Sequence, residues 1–261
     1  MEILKAIIAS KKQEVDRQKE VIPVDSLEDI ILENDTPRRS FRQALLNSTT
    51  GIIAEFKRKS PSKGWLFEHA SVERIVCEYE VCGAAAVSLL TDEPFFGGTF
   101  EDFTIARKNL NIPLLRKDFI IDPYQIYQSK ALQADVILLI AAALSLDQTA
   151  EYTRLAHQLD MEVLLEIHDE KELAYLDSND IDVVGINNRN LTTFVTDVRC
   201  SFELNKQIPP GHVKISESGI SSAATVKDLR NAGFNGFLIG EHFMKTNEPG
   251  KALHRFIHEI V

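Results

Sequence analysis

The chain has 261 residues, with 29 Lys or Arg against 39 Asp or Glu, so its formal net charge is −10. Apolar residues make up 44% and charged residues 26% of it, which is typical of a folded globular protein and excludes a globally disordered chain. The acidic balance argues against a protein that mainly coats nucleic acid or an anionic membrane, but it leaves room for a local basic pocket.

Residues 1–50 are polar and helical in character. Apolar residues at helical spacing predict an amphipathic first helix, and they include Ile3, Ile7, Ile8 and Val15. Thr36 followed by Pro37 is typical of a helix start. The N-terminal apolar run is short and Lys5 interrupts it, so we expect no signal peptide and no membrane span. Three cysteines without a CxxC motif predict free thiols in a reducing cytoplasm.

From residue 51 onward, short apolar runs alternate with amphipathic helical stretches. The runs span 51–56, 84–90, 112–119, 135–141, 162–167, 183–188, 212–218 and 236–240. Helical stretches between them include 71–82, 124–133, 146–159 and 223–232. This alternation predicts an α/β fold, a (β/α)8 TIM barrel over 51–261 with an N-terminal helical extension, all in one domain. A doubly wound open sheet is the alternative, but KRKSPSKG follows the first run where that fold usually has GxGxxG.

Charged or polar residues end most of these runs. They are Glu55 and Lys57, Lys117, Glu166, Asn187 and Arg189, Glu217 and Ser218, and Gly240 with Glu241. In such barrels, reactive groups collect at the carboxyl ends of the strands. One such residue alone would simply be solvated, but their repetition on one rim favours a shared site. Lysines and carboxylates placed together offer the matched partners and shifted pKa values that general acid–base catalysis needs.

The last two runs are followed by signals for anion binding. Ser218-Gly219 follows the seventh run, and Gly240-Glu241 follows the eighth and is expected to open a short helix. Loops after these two strands commonly form the phosphate site of this fold, and Arg189 or Lys57 would supply the positive charge. Turn geometry alone is the alternative explanation for the glycines.

Other candidate features are weaker. The basic segment 57–64 fits a mobile loop over an anionic substrate, or else a solvated loop, better than a nucleic-acid site. Phe95, Phe96 and Phe119 either line an apolar pocket for a ring or pack in the core. His254 and His258 have i, i+4 spacing but no third ligand, so no metal site is predicted.

Six segments together resemble the indole-3-glycerol-phosphate synthase family of tryptophan biosynthesis. They are IIAEFKRKSPSKG (52–64), SLLTDEPFFGGT (88–99), LLRKDFIIDPYQIY (114–127), GINNRNL (185–191), ISESGI (215–220) and FLIG (237–240). The resemblance implies a barrel whose N-terminal helical segment covers part of the catalytic rim. It also implies a carboxy-lyase that closes the indole ring of 1-(2-carboxyphenylamino)-1-deoxyribulose 5-phosphate, with loss of carbon dioxide and water.

The same resemblance implies roles for five catalytic residues. Lys117 would be the general acid for ring closure, and Glu166 would assist the hydroxyl that is lost. Glu55 would act as acid or base in the later steps. Lys57 would hold the substrate's carboxylate or phosphate and would share proton transfer with Lys117. Asn187 would hydrogen-bond the ribulose or orient Glu55 and Glu166.

The resemblance also implies a set of substrate-binding residues. These are Ser60, Phe96, Phe119, Arg189, Glu217, Ser218, Gly219, Gly240 and Glu241. The two phenylalanines would pack the anthranilate ring and Ser60 would order the first loop. Arg189, Ser218, Gly219, Gly240 and the backbone N–H of Glu241 would bind phosphate. Many relatives have Ser at position 241, and a carboxylate there would repel phosphate unless it were turned outward.

No metal or organic cofactor is implied. The implied partners are a small phosphorylated substrate and, transiently, other enzymes of the tryptophan pathway, with no nucleic acid and no membrane. Two alternatives remain open from the residues: another phosphosugar enzyme of this fold, such as an isomerase or a Schiff-base aldolase, and a non-catalytic phosphate-binding barrel. The pairing of Lys117 with Glu166 favours proton transfer over both.

Overall fold

The computed structural model describes residues 2–34, 37–176, 180–190 and 193–261. The barrel strands are β1 (Ile52–Phe56), β2 (Ala86–Leu90), β3 (Leu114–Lys117), β4 (Val136–Ile140), β5 (Glu162–Ile167), β6 (Val183–Asn187), β7 (Val213–Glu217) and β8 (Gly236–Ile239). Each strand pairs in parallel with its neighbours in chain order, and β1 pairs with β8 through Ile52 and Phe237. The predicted (β/α)8 barrel is therefore confirmed, and the open sheet is excluded because the barrel is closed.

Helices precede the barrel and connect its strands. They are α1 (Glu2–Val21), α2 (Val24–Glu33), α3 (Phe41–Asn47), α4 (Val72–Val81), α5 (Glu93–Phe96), α6 (Phe100–Asn109), α7 (Pro123–Ala131), α8 (Leu146–Gln158), α9 (Arg199–Asn205), α10 (Ala223–Asn231), α11 (Glu241–Met244) and α12 (Pro249–Ile260), with 3-10 turns at Ala141–Ala143 and Glu170–Leu176. Side-chain caps fix where several of these helices begin. At the start of α8, the Ser145 hydroxyl accepts the backbone N–H of Gln148, and the Gln148 side-chain oxygen accepts the backbone N–H of Ser145.

The side-chain alternation of the strands divides the apolar residues into two layers. The inner layer fills the barrel and includes Ile53, Leu115, Leu138, Leu164, Val183, Ile215 and Leu238. The outer layer packs between the sheet and the surrounding helices and includes Ile52, Ala54 and Phe56 of β1. Alternate residues of each strand point into the barrel, and their apolar side chains fill its centre. Polar side chains therefore gather at the mouth, where the strands end.

The N-terminal extension contacts both ends of the barrel. Phe41 and Leu45 of α3 join the inner apolar layer at the amino ends of the strands. There Glu162, the first residue of β5, accepts the Ser40 hydroxyl at 2.6 Å and the N–H of Arg42 at 2.7 Å. At the opposite end, α1 runs across the carboxyl rim, while α2 packs against α7. The predicted cover over the rim is thus α1, and α3 closes the other end.

The predicted helix start at Pro37 is wrong. Thr36 lies outside the described residues, and Pro37 is followed by non-helical backbone up to Ser40. The helix begins at Phe41 instead, because the Ser40 hydroxyl accepts the N–H of Gln43 and so caps it.

Lys59–Ser60 and Gly64–Trp65 form a two-stranded hairpin within the basic segment that follows β1. Cys77, Cys82 and Cys200 are all free thiols, as predicted. Within the described ranges, every helix is too short or too polar to cross a membrane.

Candidate active site

A cavity of about 600 Å³ opens at the carboxyl ends of the barrel strands. Every site residue predicted from the sequence lines it: Glu55, Lys57, Ser60, Phe96, Lys117, Phe119, Glu166, Asn187, Arg189, Glu217, Ser218, Gly219, Gly240 and Glu241. Strand geometry explains the convergence of the strand residues Glu55, Lys117, Glu166, Asn187 and Glu217, because they end their strands in phase with the inner layer and so face the mouth. The other members lie on the hairpin, loops and short helices that follow the strands.

Two lysines and three carboxylates form the centre of the cavity. Lys57 Nζ lies 2.5 Å from Glu55 Oε1. Lys117 Nζ lies 3.2 Å from Glu166 Oε2 and 3.4 Å from Glu217 Oε2. All three carboxylates are buried, and ion pairs of this kind compensate the desolvation of both partners. The centre of the site therefore holds proton donors and acceptors in direct contact.

The same contacts shift the pKa values of three of these groups. Burial by itself would lower the pKa of Lys117, but the Glu166, Glu217 and Glu55 carboxylates outweigh it and raise that pKa above its ordinary value. Burial would raise the pKa of Glu166, but Lys117 and His168 hold it well below the usual range. For Glu217, burial and repulsion from the other carboxylates outweigh Lys117 and raise the pKa to about 7. Glu217 is therefore able to exchange a proton near neutral pH.

His168 lies behind Glu166 and was not predicted from the sequence. Its Nε2 is 3.2 Å from Glu166 Oε1, and its Nδ1 is 3.3 Å from Glu172 Oε2. Although burial would lower the pKa of His168, these two carboxylates raise it to about 10, so the imidazole is charged at neutral pH. The sequence does hold a signal for this contact. His168 comes two residues after Glu166, and residues two apart in an extended chain point to the same face.

Asn187 links the catalytic centre to the neighbouring arginine. Its side chain hydrogen-bonds Glu166, and its Oδ1 accepts the backbone N–H of Arg189 at 3.0 Å. The two roles considered for Asn187, a hydrogen bond to the ribulose or the orientation of Glu55 and Glu166, stay predictions.

The loops after β7 and β8 form one backbone surface of the cavity. Ser218 and Gly219 have φ of 68° and 77°, a left-handed pair that turns the backbone towards the cavity. A Cβ at Gly219 would press on Thr196, and one at Gly240 would overlap the Glu55 carboxylate. A side chain at either glycine would therefore crowd its neighbours, and the positive φ of Gly219 is also what a tight turn requires, so both explanations of these glycines stay open.

Arg189 and Glu241 face each other at the edge of this surface. Arg189 Nη2 lies 3.4 Å from Glu241 Oε2, and Arg189 Nη1 donates to the Ser62 hydroxyl at 2.9 Å. Glu241 is the first residue of α11, as its predicted place at a helix start requires. Its carboxylate is turned towards the guanidinium, which lessens the repulsion that an anion beside it would meet.

Aromatic and aliphatic side chains form the wall of the cavity across from the loop after β7. The Phe96 and Phe119 rings lie with centroids 5.9 Å apart and an interplanar angle of 35°. Ile3, Leu4 and Ile7 of α1 line the same cavity from above. The helical spacing of the two isoleucines was visible in the sequence, but nothing there showed that they face the cavity.

Among the described residues, the hydroxyl of Ser60 makes no hydrogen bond, so its role in ordering the first loop stays a prediction. Arg58 holds that loop: its guanidinium bonds the Asp102 carboxylate, and its carbonyl accepts the N–H of Leu66 at 2.8 Å. This role of Arg58 was not predicted from the sequence, because Arg58 lies in a dense run of positive charge in which the structural cation cannot be told from the others.

His254 and His258 lie 3.2 Å apart, Nε2 to Nε2, on the exposed face of α12. In the part of the chain that the structure describes, no group of three or more His, Cys, Asp or Glu side chains is placed to hold a metal ion.

Comparison with known proteins identifies the family. The family model described as indole-3-glycerol phosphate synthase matches residues 4–256. This chain belongs to the indole-3-glycerol phosphate synthase family. A protein of that name from Bacteroides thetaiotaomicron is 54% identical over 99% of both chains. One from Burkholderia multivorans is 42% identical over 97% of this chain and 98% of its own.

Solved structures that resemble this synthase-family chain share its fold at low sequence identity. A tryptophan synthase complex from Pyrococcus furiosus has a chain with a TM-score of 0.60 and 15% identity, covering 81% of this chain and 97% of its own. A thiamine phosphate pyrophosphorylase from the same organism has a TM-score of 0.61 and 13% identity, covering 85% and 98%. At such identities the similarity supports the barrel alone, whereas the family assignment follows from the sequence matches.

Proposed function

We propose that this chain is an indole-3-glycerol phosphate synthase and acts as a carboxy-lyase. It converts 1-(2-carboxyphenylamino)-1-deoxyribulose 5-phosphate into indole-3-glycerol phosphate, carbon dioxide and water. The observation that carries the proposal is the placement of Lys117 between Glu166 and Glu217, with the glycine-containing loops after β7 and β8 on one side and an aromatic wall on the other. A substrate with a phosphate at one end and an aryl ring at the other matches that arrangement.

The two ends of the substrate fit opposite sides of the cavity. The phosphate binds the backbone N–H groups after β7 and β8, with Arg189 as counter-charge. The anthranilate ring packs between Phe96, Phe119 and the apolar face of α1. Lys57 holds the ring's carboxylate by charge attraction. This orientation places the ketone of the ribulose beside the Lys117 ammonium.

Lys117 supplies the proton for ring closure. The aryl carbon that bears the carboxylate attacks the ketone carbon, and the ketone oxygen takes a proton from Lys117 Nζ. Loss of carbon dioxide then returns the bonding electrons to the ring and restores its aromaticity. Because the surrounding carboxylates raise the pKa of Lys117, its donor form is fully populated before the substrate binds.

The carboxylates carry the later proton transfers. The new hydroxyl takes a proton from Lys57 Nζ and departs as water, while the ionised Glu166, held in place by Asn187, accepts a hydrogen bond from that hydroxyl. Glu55 removes the proton from the ring carbon beside nitrogen, which completes the indole. Glu217, with a pKa of about 7 and an oxygen 3.4 Å from Lys117 Nζ, returns a proton to that lysine between turnovers.

The charge state of Lys117 argues against a Schiff-base aldolase. Such an enzyme needs a lysine whose pKa is lowered, so that the free amine can attack a carbonyl. Here the flanking carboxylates have the opposite effect. A non-catalytic phosphate-binding barrel would not need a lysine buried among three carboxylates. A phosphosugar isomerase would not need the aromatic wall formed by Phe96 and Phe119.

The proposal is tested by following the indole fluorescence of the product, indole-3-glycerol phosphate, as it forms from the carboxyphenylamino substrate. We expect saturable turnover, with one carbon dioxide released for each indole. Absence of turnover by well-folded protein would exclude the proposed reaction. We also propose that residues 1–50 and 51–261 work as one domain, since α1 and α3 both bind the barrel. A cytoplasmic location and transient contact with other tryptophan-pathway enzymes remain predictions.

A further inference from the structure

Lys11 of α1 is the most deeply buried lysine side chain among the described residues, with 1% of its surface exposed, and the reaction proposed above does not use it. Its Nζ lies 2.9 Å from Asp118 Oδ1, 3.1 Å from Asp92 Oδ2 and 2.9 Å from Glu14 Oε2. An ammonium group is buried at such a place only when carboxylates compensate its lost hydration. Helix α1 is therefore bound to the barrel rim through the buried ion pairs of Lys11 with Asp92 and Asp118.

Two of these carboxylates also position the aromatic wall. Asp118 Oδ1 accepts the backbone N–H of Phe119 at 2.8 Å. Asp92 caps α5 by accepting the N–H of Phe95 at 2.9 Å, and Phe96 is the next residue of that short helix. Lys11 thus connects the loop after β2, which carries one ring, with the end of β3, which carries the other.

Asp118 also has partners within the barrel. Arg116 Nη2 lies 2.9 Å from Asp118 Oδ2, and the Thr91 hydroxyl donates to the same oxygen at 2.6 Å. Both of these partners belong to the barrel itself. What Lys11 adds is a contact between α1 and the two loops, and α1 is the helix that places Ile3, Leu4 and Ile7 over the cavity.

We infer that Lys11 is a positioning residue for the aryl end of the substrate. Its ammonium holds the two ring-bearing loops at a fixed separation and keeps the apolar face of α1 above them. This inference rests on the proposed function. It predicts an effect confined to one end of the cavity, because the phosphate-side loops follow β7 and β8, and β7 lies across the barrel from β3.

Lys11→Met tests this separation of the two ends, and Lys19→Met is the matched control. Lys19 lies on the same helix and forms an ion pair of 2.7 Å with Asp122, but its side chain is 40% exposed. An exposed ion pair contributes little energy, so we expect its loss to affect substrate binding far less. Two probes are titrated by calorimetry: inorganic phosphate, and the substrate with its ketone reduced to an alcohol, which binds but cannot close a ring. Turnover of the intact substrate is measured in parallel.

For Lys11→Met we expect the Kd of the reduced substrate and the KM of the intact one to rise at least about tenfold, the scale of loss from a small misplacement. The Kd of inorganic phosphate should stay within about twofold, and Lys19→Met should change neither value. A general loss of fold would instead weaken both probes together, or lower the active fraction without changing KM.

Unchanged affinity of Lys11→Met for the reduced substrate would overturn the inference, and so would an equal loss for both probes in a variant whose circular dichroism spectrum shows that it is folded. If Lys11→Met does not fold, Asp92→Asn replaces it, because an asparagine oxygen still caps α5 while one charge is lost. The same selective loss, of smaller size, is expected there, and its absence overturns the inference. Failure of the proposed function is distinguishable, since the unaltered protein would then turn over no substrate.

Discussion

Lys117→Met removes the ammonium group at the centre of the cavity and keeps the length of the side chain. Without it, Glu166 and Glu217 lose the cation that lies 3.2 and 3.4 Å from them and face each other in a buried setting. Two effects follow, one on catalysis and one on stability, and they are separable by experiment.

The expected effect on kcat is a fall of about 10² to 10⁴, the range for loss of a general acid. The expected loss of stability is about 3 kcal/mol, at the lower end of the range for breaking a buried ion pair, because Glu217 is able to remain protonated. The rate is followed by indole fluorescence at saturating substrate, and the free energy of unfolding by urea denaturation.

Lys117→Arg is the control that separates charge from proton donation. A guanidinium remains protonated at any accessible pH, so it restores the positive charge without supplying a proton. We expect this variant to regain most of the lost stability while kcat stays at least about 10² below that of the unaltered protein. If either variant keeps kcat within tenfold, the proton for ring closure does not come from Lys117, and Lys57 becomes the acid.

Three further predictions follow from the charges in the cavity. His168→Gln should move the acidic limb of the kcat–pH profile to higher pH, because Glu166 then titrates closer to its ordinary range; an unmoved limb would contradict this. Arg189→Ala should raise KM about tenfold or more with little change in kcat, since a charged hydrogen bond to phosphate is lost; an unchanged KM would remove it from that site. Glu217, whose pKa of about 7 exceeds its ordinary 4.5, stabilises the fold while protonated, so this stability is lost as pH rises from about 4.5 to about 7. Glu217→Gln should lack that loss, on the order of 3 kcal/mol, when urea denaturation is compared at pH 5 and pH 8.

Most of the barrel could be predicted because its signals are local. Each apolar run produced a strand within its bounds, as at residues 162–167, where prediction and strand coincide. The start of α3 could not be placed in the same way, because Pro37 and Ser40 are both acceptable start signals and only contacts with the barrel choose between them. Ser40 prevails since its hydroxyl also donates to Glu162, which is more than a hundred residues away.

The residues that line the candidate site could be predicted, whereas their pKa values and contacts could not. Lys117, Glu166 and Glu217 were recognisable as strand-end groups because side-chain direction alternates along a strand. The pKa of Glu217 was not predictable, since it depends on burial and on charges brought together from other strands. Lys11 gave no signal at all, because a lysine in a polar amphipathic helix is normally solvated.

The sequence by itself determined which side chains face the mouth of the barrel, since strand period and strand ends are properties of a few adjacent residues. Only the tertiary structure decided which of those side chains touch and what charge each one carries. It also decided that α1 binds the catalytic rim through Lys11 while α3 closes the opposite end. These outcomes depend on barrel closure, which joins strands far apart in the chain and sets the burial and electrostatic environment of every group in the cavity.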